Sequence, residues 1–280
     1  MFKRKVSAIF YIISAELLFS ISALLVKILS QQYAISAMEA AFARFAIGFV
    51  GLLLFMAMTG ARVRPKNTKA LISRGVLNSL AVLLYYIGLK LTTLTKANIL
   101  NMTYPLFVAM LAPLLIKEKT TKHKIFLLLI AFIGIYLVVD PSFKVLQIGD
   151  LFALGSGMVA AFAVISLRTA RKTDTTLNVM FFLMTIGMLL NLPFAGSFIL
   201  PSFTAGSILF MCGLLGFLGQ VLLTIGYLEN TAVEASLASN SRIIFASLLG
   251  ISFFQESLSL KLVIGAILII YATVSIKKHQ

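Results

Sequence analysis

Apolar positions fall in ten long blocks, near residues 6 to 30, 37 to 59, 71 to 91, 95 to 116, 124 to 140, 149 to 168, 177 to 197, 204 to 227, 232 to 254 and 260 to 276. Short polar stretches separate them. Each block approximates the roughly 20 residues of helix that cross a hydrocarbon core of about 30 Å. None shows the ten-residue alternation of a barrel strand. Helices and closed barrels alone satisfy their backbone hydrogen bonds in lipid, so the pattern predicts an all-α integral membrane protein with ten transmembrane helices.

Composition agrees, since 60% apolar residues, 12% charged residues and a mean hydropathy of +1.03 leave too little polar surface for a soluble domain. Met1-Phe2-Lys3-Arg4-Lys5 precedes an apolar run that reaches Leu29 without a small-residue cleavage site, which reads as a retained first helix. Cys212 is the sole cysteine, so an intrachain disulfide and a thiolate zinc site are both excluded and its role is packing. The pattern calls for no metal and no cofactor.

The net charge of +15 would suggest nucleic acid in a soluble protein, but the cations are placed as orientation signals. With the N-terminus inside, Lys3, Arg4, Lys5, Arg62, Arg64, Lys66, Lys69, Arg74, Lys117, Lys119, Lys122, Lys124, Arg168, Arg171, Lys172, Lys277 and Lys278 share one side. Only Lys90, Lys96, Lys144 and Lys261 fall on the other. This bias sets orientation and predicts cytoplasmic termini in a cell inner membrane. No compact basic fold with interleaved aromatics is present, so nucleic acid is not an expected partner.

A shift of 138 residues from Gly75 onward pairs Ile87-Gly88 with Ile225-Gly226, Thr93 with Thr231, Ala97 with Ala235, Phe107 with Phe245 and Glu118 with Glu256. A shift of 141 pairs Lys27 with Arg168. Five helices is an odd number, so the tandem halves, 1–141 and 142–280, enter the membrane from opposite sides. Inverted repeats of this kind support alternating access around a midplane site.

Several landmarks carry a family likeness. They are Arg44-Phe45 in the second span, Arg74-Gly75 opening the third, Ala97 with Tyr104-Pro105 in the fourth and Lys117-Glu118-Lys119 before the fifth, with Ala235, Glu256 and Gly265 in the second half. In these the chain resembles the EamA family of the drug/metabolite transporter superfamily, with Ile243 where that family often has proline. The resemblance implies a secondary transporter of metabolites or drugs whose cavity is lined by helices one, three, four, six, eight and nine. The Glu39 to Arg44 and Arg74-Gly75 context is similar to the branch containing S-adenosylmethionine carriers.

A charge at the bilayer centre costs roughly 2.5 to 3.5 kcal/mol, so ionisable groups within spans mark function or pairing. Glu16 lies near mid-depth of the first helix and is a candidate for substrate or proton binding, or else forms a structural ion pair with Arg242 or Arg44. Arg242 offers a guanidinium fork for a carboxylate or phosphate, or pairs with Glu16 or Glu234. The repeat matches it to Tyr104, which predicts that both face one cavity. Asn98, Asn101, Tyr104, Asn240, Gln220, Tyr85 and Tyr86 complete the candidate substrate-binding set. Arg44, Glu118 and Glu256 are read as structural or gating, the two glutamates as caps of the fifth and tenth helices. Pro105 is read as bending the fourth helix, Gly213, Gly216 and Gly219 as a close-packing stripe, Lys27 and Arg168 as snorkelling to headgroups, and Tyr33 and Tyr227 as interface anchors.

His123 and His279 lie in polar flanks, and no HExxH, P-loop, paired catalytic Asp or nucleophile elbow occurs, so no catalytic residues are expected. A channel would need a filter motif or charge ring. The sequence therefore reads as a secondary active transporter of a small metabolite, S-adenosylmethionine or a related zwitterion, working by proton coupling or substrate exchange as a monomer or homodimer. The alternative is an amino-acid or drug exporter of the same fold, and an intramembrane enzyme ranks below both.

Overall fold

A computed structural model describes residues 2–33, 35–92, 97, 100–118, 121–139, 147–194, 202–254 and 260–275. Regular structure among them is helical: α1 (Phe2–Gln32), α2 (Ala37–Thr59), α3 (Thr68–Leu91), α4 (Tyr104–Leu115), α5 (Lys122–Val139), α6 (Ile148–Arg171), α7 (Thr176–Asn191), a 3-10 turn (Leu192–Phe194), α8 (Phe203–Gly226), α9 (Ala232–Ser239), α10 (Ser241–Phe254) and α11 (Leu260–Ser275). Capping chemistry sets the starts. Ser36 and Glu39 form a reciprocal capping box before α2, and Thr231 and Glu234 form another before α9. Glu39 is thus engaged at a helix start, apart from Arg44. Asn67, Thr175 and Ser202 cap α3, α7 and α8 in the simpler one-bond manner. Gly60, at a φ of 67°, ends α2 in the left-handed conformation that glycine adopts without strain.

Two spans that the apolar pattern draws as continuous are broken. Asn101 is helical, Met102 and Thr103 form a turn, and α4 begins at Tyr104. In the other half α9 stops at Ser239, Asn240 forms a turn, and α10 begins at Ser241. The 138-residue shift places Met102 on Asn240 and Tyr104 on Arg242, so both breaks occupy equivalent positions. Pro105 sits in the first turn of α4, where its missing N–H leaves no bond unmade, so it begins a helix rather than bending one. Broken helices near mid-membrane are tolerated where they line a cavity.

Packing follows the pseudo-symmetry. Helix one of each half lies against helix three of the other, as α1 on α8 and α6 on α3, while α5 packs on α11. Among the described residues, five helices are long and apolar enough to cross a membrane, over Ala8–Ser30, Met38–Thr59, Thr68–Gly88, Ile148–Arg171 and Phe203–Gly226. Large apolar side chains such as Leu54, Phe55, Met58 and Phe210 face outward, while Glu16, Arg74, Gln220 and Asn240 are buried. That inversion of a soluble protein suits lipid outside and a polar cavity within. The chain is an all-α, multi-pass membrane protein of two inverted five-helix repeats.

Candidate functional site

A cavity of about 610 Å³ lies between the halves, lined from α1, α2, α3, the broken fourth helix, α6, α8 and α10. α2 thereby joins the six helices that the family resemblance implied. The lining runs from Ser36 and Met38, in and just after the α1–α2 connection, to Arg74 in the second turn of α3.

Glu16 and Arg242 meet within it. Arg242 Nε donates to Glu16 Oε2 at 2.6 Å, joining helix one of the first half to the broken helix of the second. Glu16 is only 1% exposed, whereas the Arg242 side chain keeps 28% of its surface open, so the cation is the accessible partner. Ser20 Oγ is within hydrogen-bond range of the carbonyls of Glu16, at 2.8 Å, and Arg242, at 3.3 Å, and ties the two helices beside the pair. The break after Asn240 puts Arg242 in the first turn of α10, where its side chain can cross to α1.

Arg44 enters from α2 and its Nη2 donates to Gln220 Oε1 at 3.3 Å. Both Arg44 and Arg242 carry their charge over the Phe19 ring, at 4.9 and 5.0 Å from its centroid. The glycine stripe of α8 makes room for them. A Cβ at Gly216 would lie 2.8 Å from Arg44 Cδ and 2.9 Å from its Nε, and one at Gly219 would lie 3.0 Å from the Phe19 ring. The stripe packs closely, but against the side chains of the site.

Tyr85, Tyr86, Asn101, Tyr104 and Gln220 also line the cavity. The two tyrosine rings are 5.7 Å apart, and Asn101 Nδ2 donates to Ser156 Oγ of α6 at 2.8 Å. Asn240 is buried at the break and lies outside the lining. Asn98 and Glu256 lie outside the described residues.

Among the lining residues that sequence reasoning missed are Arg74, Phe19 and Lys27. Arg74 is counted with the loop cations, yet it is 3% exposed and faces the cavity. Its apolar neighbours, one turn inside α3, were the available signal. Phe19 looks like any apolar core residue and carried none. Lys27, expected at the headgroups, is also part of the cavity lining.

The opposite end of the bundle is closed by ionic and capping contacts that correct further expectations. Glu118 is a cap, but of α9 in the other half. Its Oε2 accepts from Ala232 N at 2.9 Å and its Oε1 from Arg168 Nε at 2.7 Å. It cannot serve α5, which starts at Lys122 beside the capping hydroxyl of Thr121. Arg168 does not snorkel, because its Nη1 also donates to the carbonyls of Tyr227 and Leu228. Tyr227 is fully buried and so is no interface anchor. Glu234 pairs with Lys124 at 2.9 Å, which leaves Arg242 to Glu16. In the α6–α7 connection, burial alone would raise the Asp174 carboxyl. Donation from the Lys66 and Asn67 backbones, Asn178 and Thr173 outweighs it and holds the group below its ordinary value. No cluster among the described residues could hold a metal ion.

Inverted helical repeats in lipid, with a charged cavity between them and helices broken at its wall, define a membrane transporter. The chain belongs to the EamA-like transporter family, whose model matches residues 6–140 and 147–277. It is 26% identical to the pseudopaline exporter CntI of Pseudomonas aeruginosa, over 98% of this chain and 97% of that one. It is 27% identical to solute carrier family 35 member G1 of Mus musculus (95% and 76%) and 24% identical to the S-adenosylmethionine uptake transporter of Rickettsia prowazekii (85% and 82%). A solved crystal structure superposes with a TM-score of 0.79 over 96% of each chain at 17% identity, a likeness of fold alone. The three named relatives are transporters, and this chain is a transporter rather than an enzyme.

Proposed function

We propose that the chain is a secondary carrier that moves a small, carboxylate-bearing metabolite across a bacterial inner membrane by alternating access. The Glu16–Arg242 pair carries this reading. It bridges the two halves inside the cavity, and its cation keeps far more of its surface open than its anion. A substrate carboxylate that takes part of the guanidinium fork loosens the bridge between halves 1–141 and 142–280, which couples binding to rocking. The chain carries no ATPase motif, so an ion gradient or the substrate's own gradient drives the cycle. Protonation of Glu16 would likewise release Arg242, which makes Glu16 the candidate for proton coupling; substrate exchange would use the same bridge without it.

The cation bias supports cytoplasmic termini. In that orientation the cavity opens outward past Ser36 and Met38, and the Glu118–Arg168 contacts close the inner side. The unit is a monomer or homodimer, each protomer with its own cavity. S-adenosylmethionine has a carboxylate and falls within the class, a reading supported by likeness to the Rickettsia prowazekii uptake transporter. Likeness to the Pseudomonas aeruginosa exporter favours metabolite export as the second reading.

The test is counterflow into proteoliposomes loaded with unlabelled S-adenosylmethionine, with amino acids and nucleosides as external competitors and Arg242→Ala as control. Labelled uptake that overshoots equilibrium and is lost in the variant supports a carrier. No overshoot with any loaded compound, in protein shown to be folded, refutes it.

A further inference from the structure

The described lining of the cavity holds the guanidinium groups of Arg44, Arg74 and Arg242 against a single carboxylate, Glu16. Guanidinium stays protonated at any physiological pH, so this imbalance is permanent. Arg242 takes up Glu16, and two cations are left. Arg44 meets a neutral amide oxygen and a phenyl ring, and its Nε is buried without a partner. Arg74, 3% exposed, forms no ion pair with a described residue, and its Nε too lacks a partner. Lys27 has an interaction of its own and is left out of the balance.

The cavity's unsatisfied groups are of one kind. Among buried side-chain atoms without hydrogen bonds, those that belong to the lining are Arg44 Nε, Arg74 Nε and Gln220 Nε2, all donors. Buried donors and uncompensated cations are both costly, and one chemistry relieves them together, an anion rich in acceptor oxygens. We propose that the transported substrate is a small organic dianion carrying two carboxylates, one for Arg44 with Gln220, shared with the Arg242 fork over the same Phe19 ring, and one for Arg74. Arg44 and Arg74 lie within electrostatic reach of one another, and Phe19, Tyr85 and Tyr86 share the lining, so the body between the carboxylates can be apolar or aromatic. This inference rests on the carrier reading and narrows it. A neutral zwitterion leaves the two surplus charges in place, and S-adenosylmethionine, a net cation, adds to them.

The test is thermal melting of the purified full-length chain with matched probes: phthalate against benzoate, and glutamate against glutamine, with succinate and S-adenosylmethionine alongside. Succinate and phthalate should raise the melting temperature on the order of 5 °C at saturation, the shift falling as one carboxylate is removed. Arg74→Gln should melt no lower than the parent without ligand, since it removes an uncompensated charge, and should lose the dianion shift; Arg74→Lys should recover part of it. The proposal is overturned if no dianion shifts melting, if glutamine or S-adenosylmethionine shifts it as much, or if Arg74→Gln lowers the ligand-free melting temperature. Counterflow separates the two readings. Uptake of a zwitterion that dianions do not compete with leaves the carrier standing and removes the dianion. Dianion stabilisation without counterflow of any probe keeps the site and removes the carrier.

Discussion

Removing Arg242 alone leaves Glu16, 1% exposed, with no ion pair to another described residue. Stripping one member from a buried pair costs about 3–5 kcal/mol, mostly the desolvation of the charge left behind. The open face of Arg242 lets cavity water relieve part of this, so Arg242→Ala should cost about 3 kcal/mol. At about 2–4 °C per kcal/mol, melting should fall by roughly 6–12 °C. Glu16→Ala should cost less, since the stranded cation keeps contact with the cavity and the Phe19 ring. The double variant then removes both charges and should melt well above Arg242→Ala, with a coupling energy of about 1.5–3 kcal/mol. Melting curves of the four proteins in one detergent, read by scattering or a thiol dye, give the cycle. Additive costs, with the double variant the least stable, would refute the claim that the pair is held by mutual compensation of charge.

Four further outcomes test separate parts of the account. Gly216→Val should displace Arg44, costing about 1–3 kcal/mol and most of the uptake, whereas Gly155→Ala, where no atom lies within 4 Å of the added Cβ, should be close to neutral in both. Glu118→Gln should weaken the contact with Arg168 and the α9 cap, lowering stability by about 1–2 kcal/mol and raising labelling of cavity cysteines from the inner face. Asp174 has a lowered folded-state value, so its contribution is complete above about pH 4 and is lost as pH falls through the lower folded value; Asp174→Asn should cost about 1–2 kcal/mol at pH 7 and less in acid, and an equal deficit at pH 3 and pH 7 would contradict this. A cysteine replacing Lys66 should resist an impermeant thiol reagent added outside intact cells if, as the cation bias predicts, the α2–α3 connection is cytoplasmic.

The fold was readable because its causes are local and repeated. Block length, hydropathy and the 138-residue shift mark the helices and their pairing. The break before Tyr104 was signalled only by Pro105, read as a bend, and the break at Asn240 was not visible, since it interrupts an apolar run without a strong breaker. Candidate residues were found where polarity stands out against lipid, as at Glu16, Arg242 and Gln220. Arg74 was missed because a cation one turn inside a helix looks the same whether it faces headgroups or a cavity. Phe19 was missed because an aromatic beneath two guanidinium groups has the sequence signature of any core residue. Glu118 was matched to the wrong helix because the repeat shows that a position is shared without showing which end it closes.

The two halves share a scaffold but not a chemistry. The shift of 141 places Gly157 opposite Glu16, Ala160 opposite Phe19 and Thr185 opposite Arg44, and the shift of 138 places Cys212 opposite Arg74 and Tyr104 opposite Arg242. Each charged or stacking member of the site therefore has an uncharged or small counterpart in the other half. An inverted repeat makes the two end states of a rocking cycle nearly equal in packing, because each half can adopt the conformation of the other. Whatever distinguishes those states must then come from groups that the repeat does not duplicate. Here these are Glu16, Arg44, Arg74 and Arg242, all in the cavity lining. If substrate charge acts on these groups, as proposed, it biases the equilibrium between inward and outward states directly. A ligand that met only the repeated scaffold would bind both states alike and shift neither.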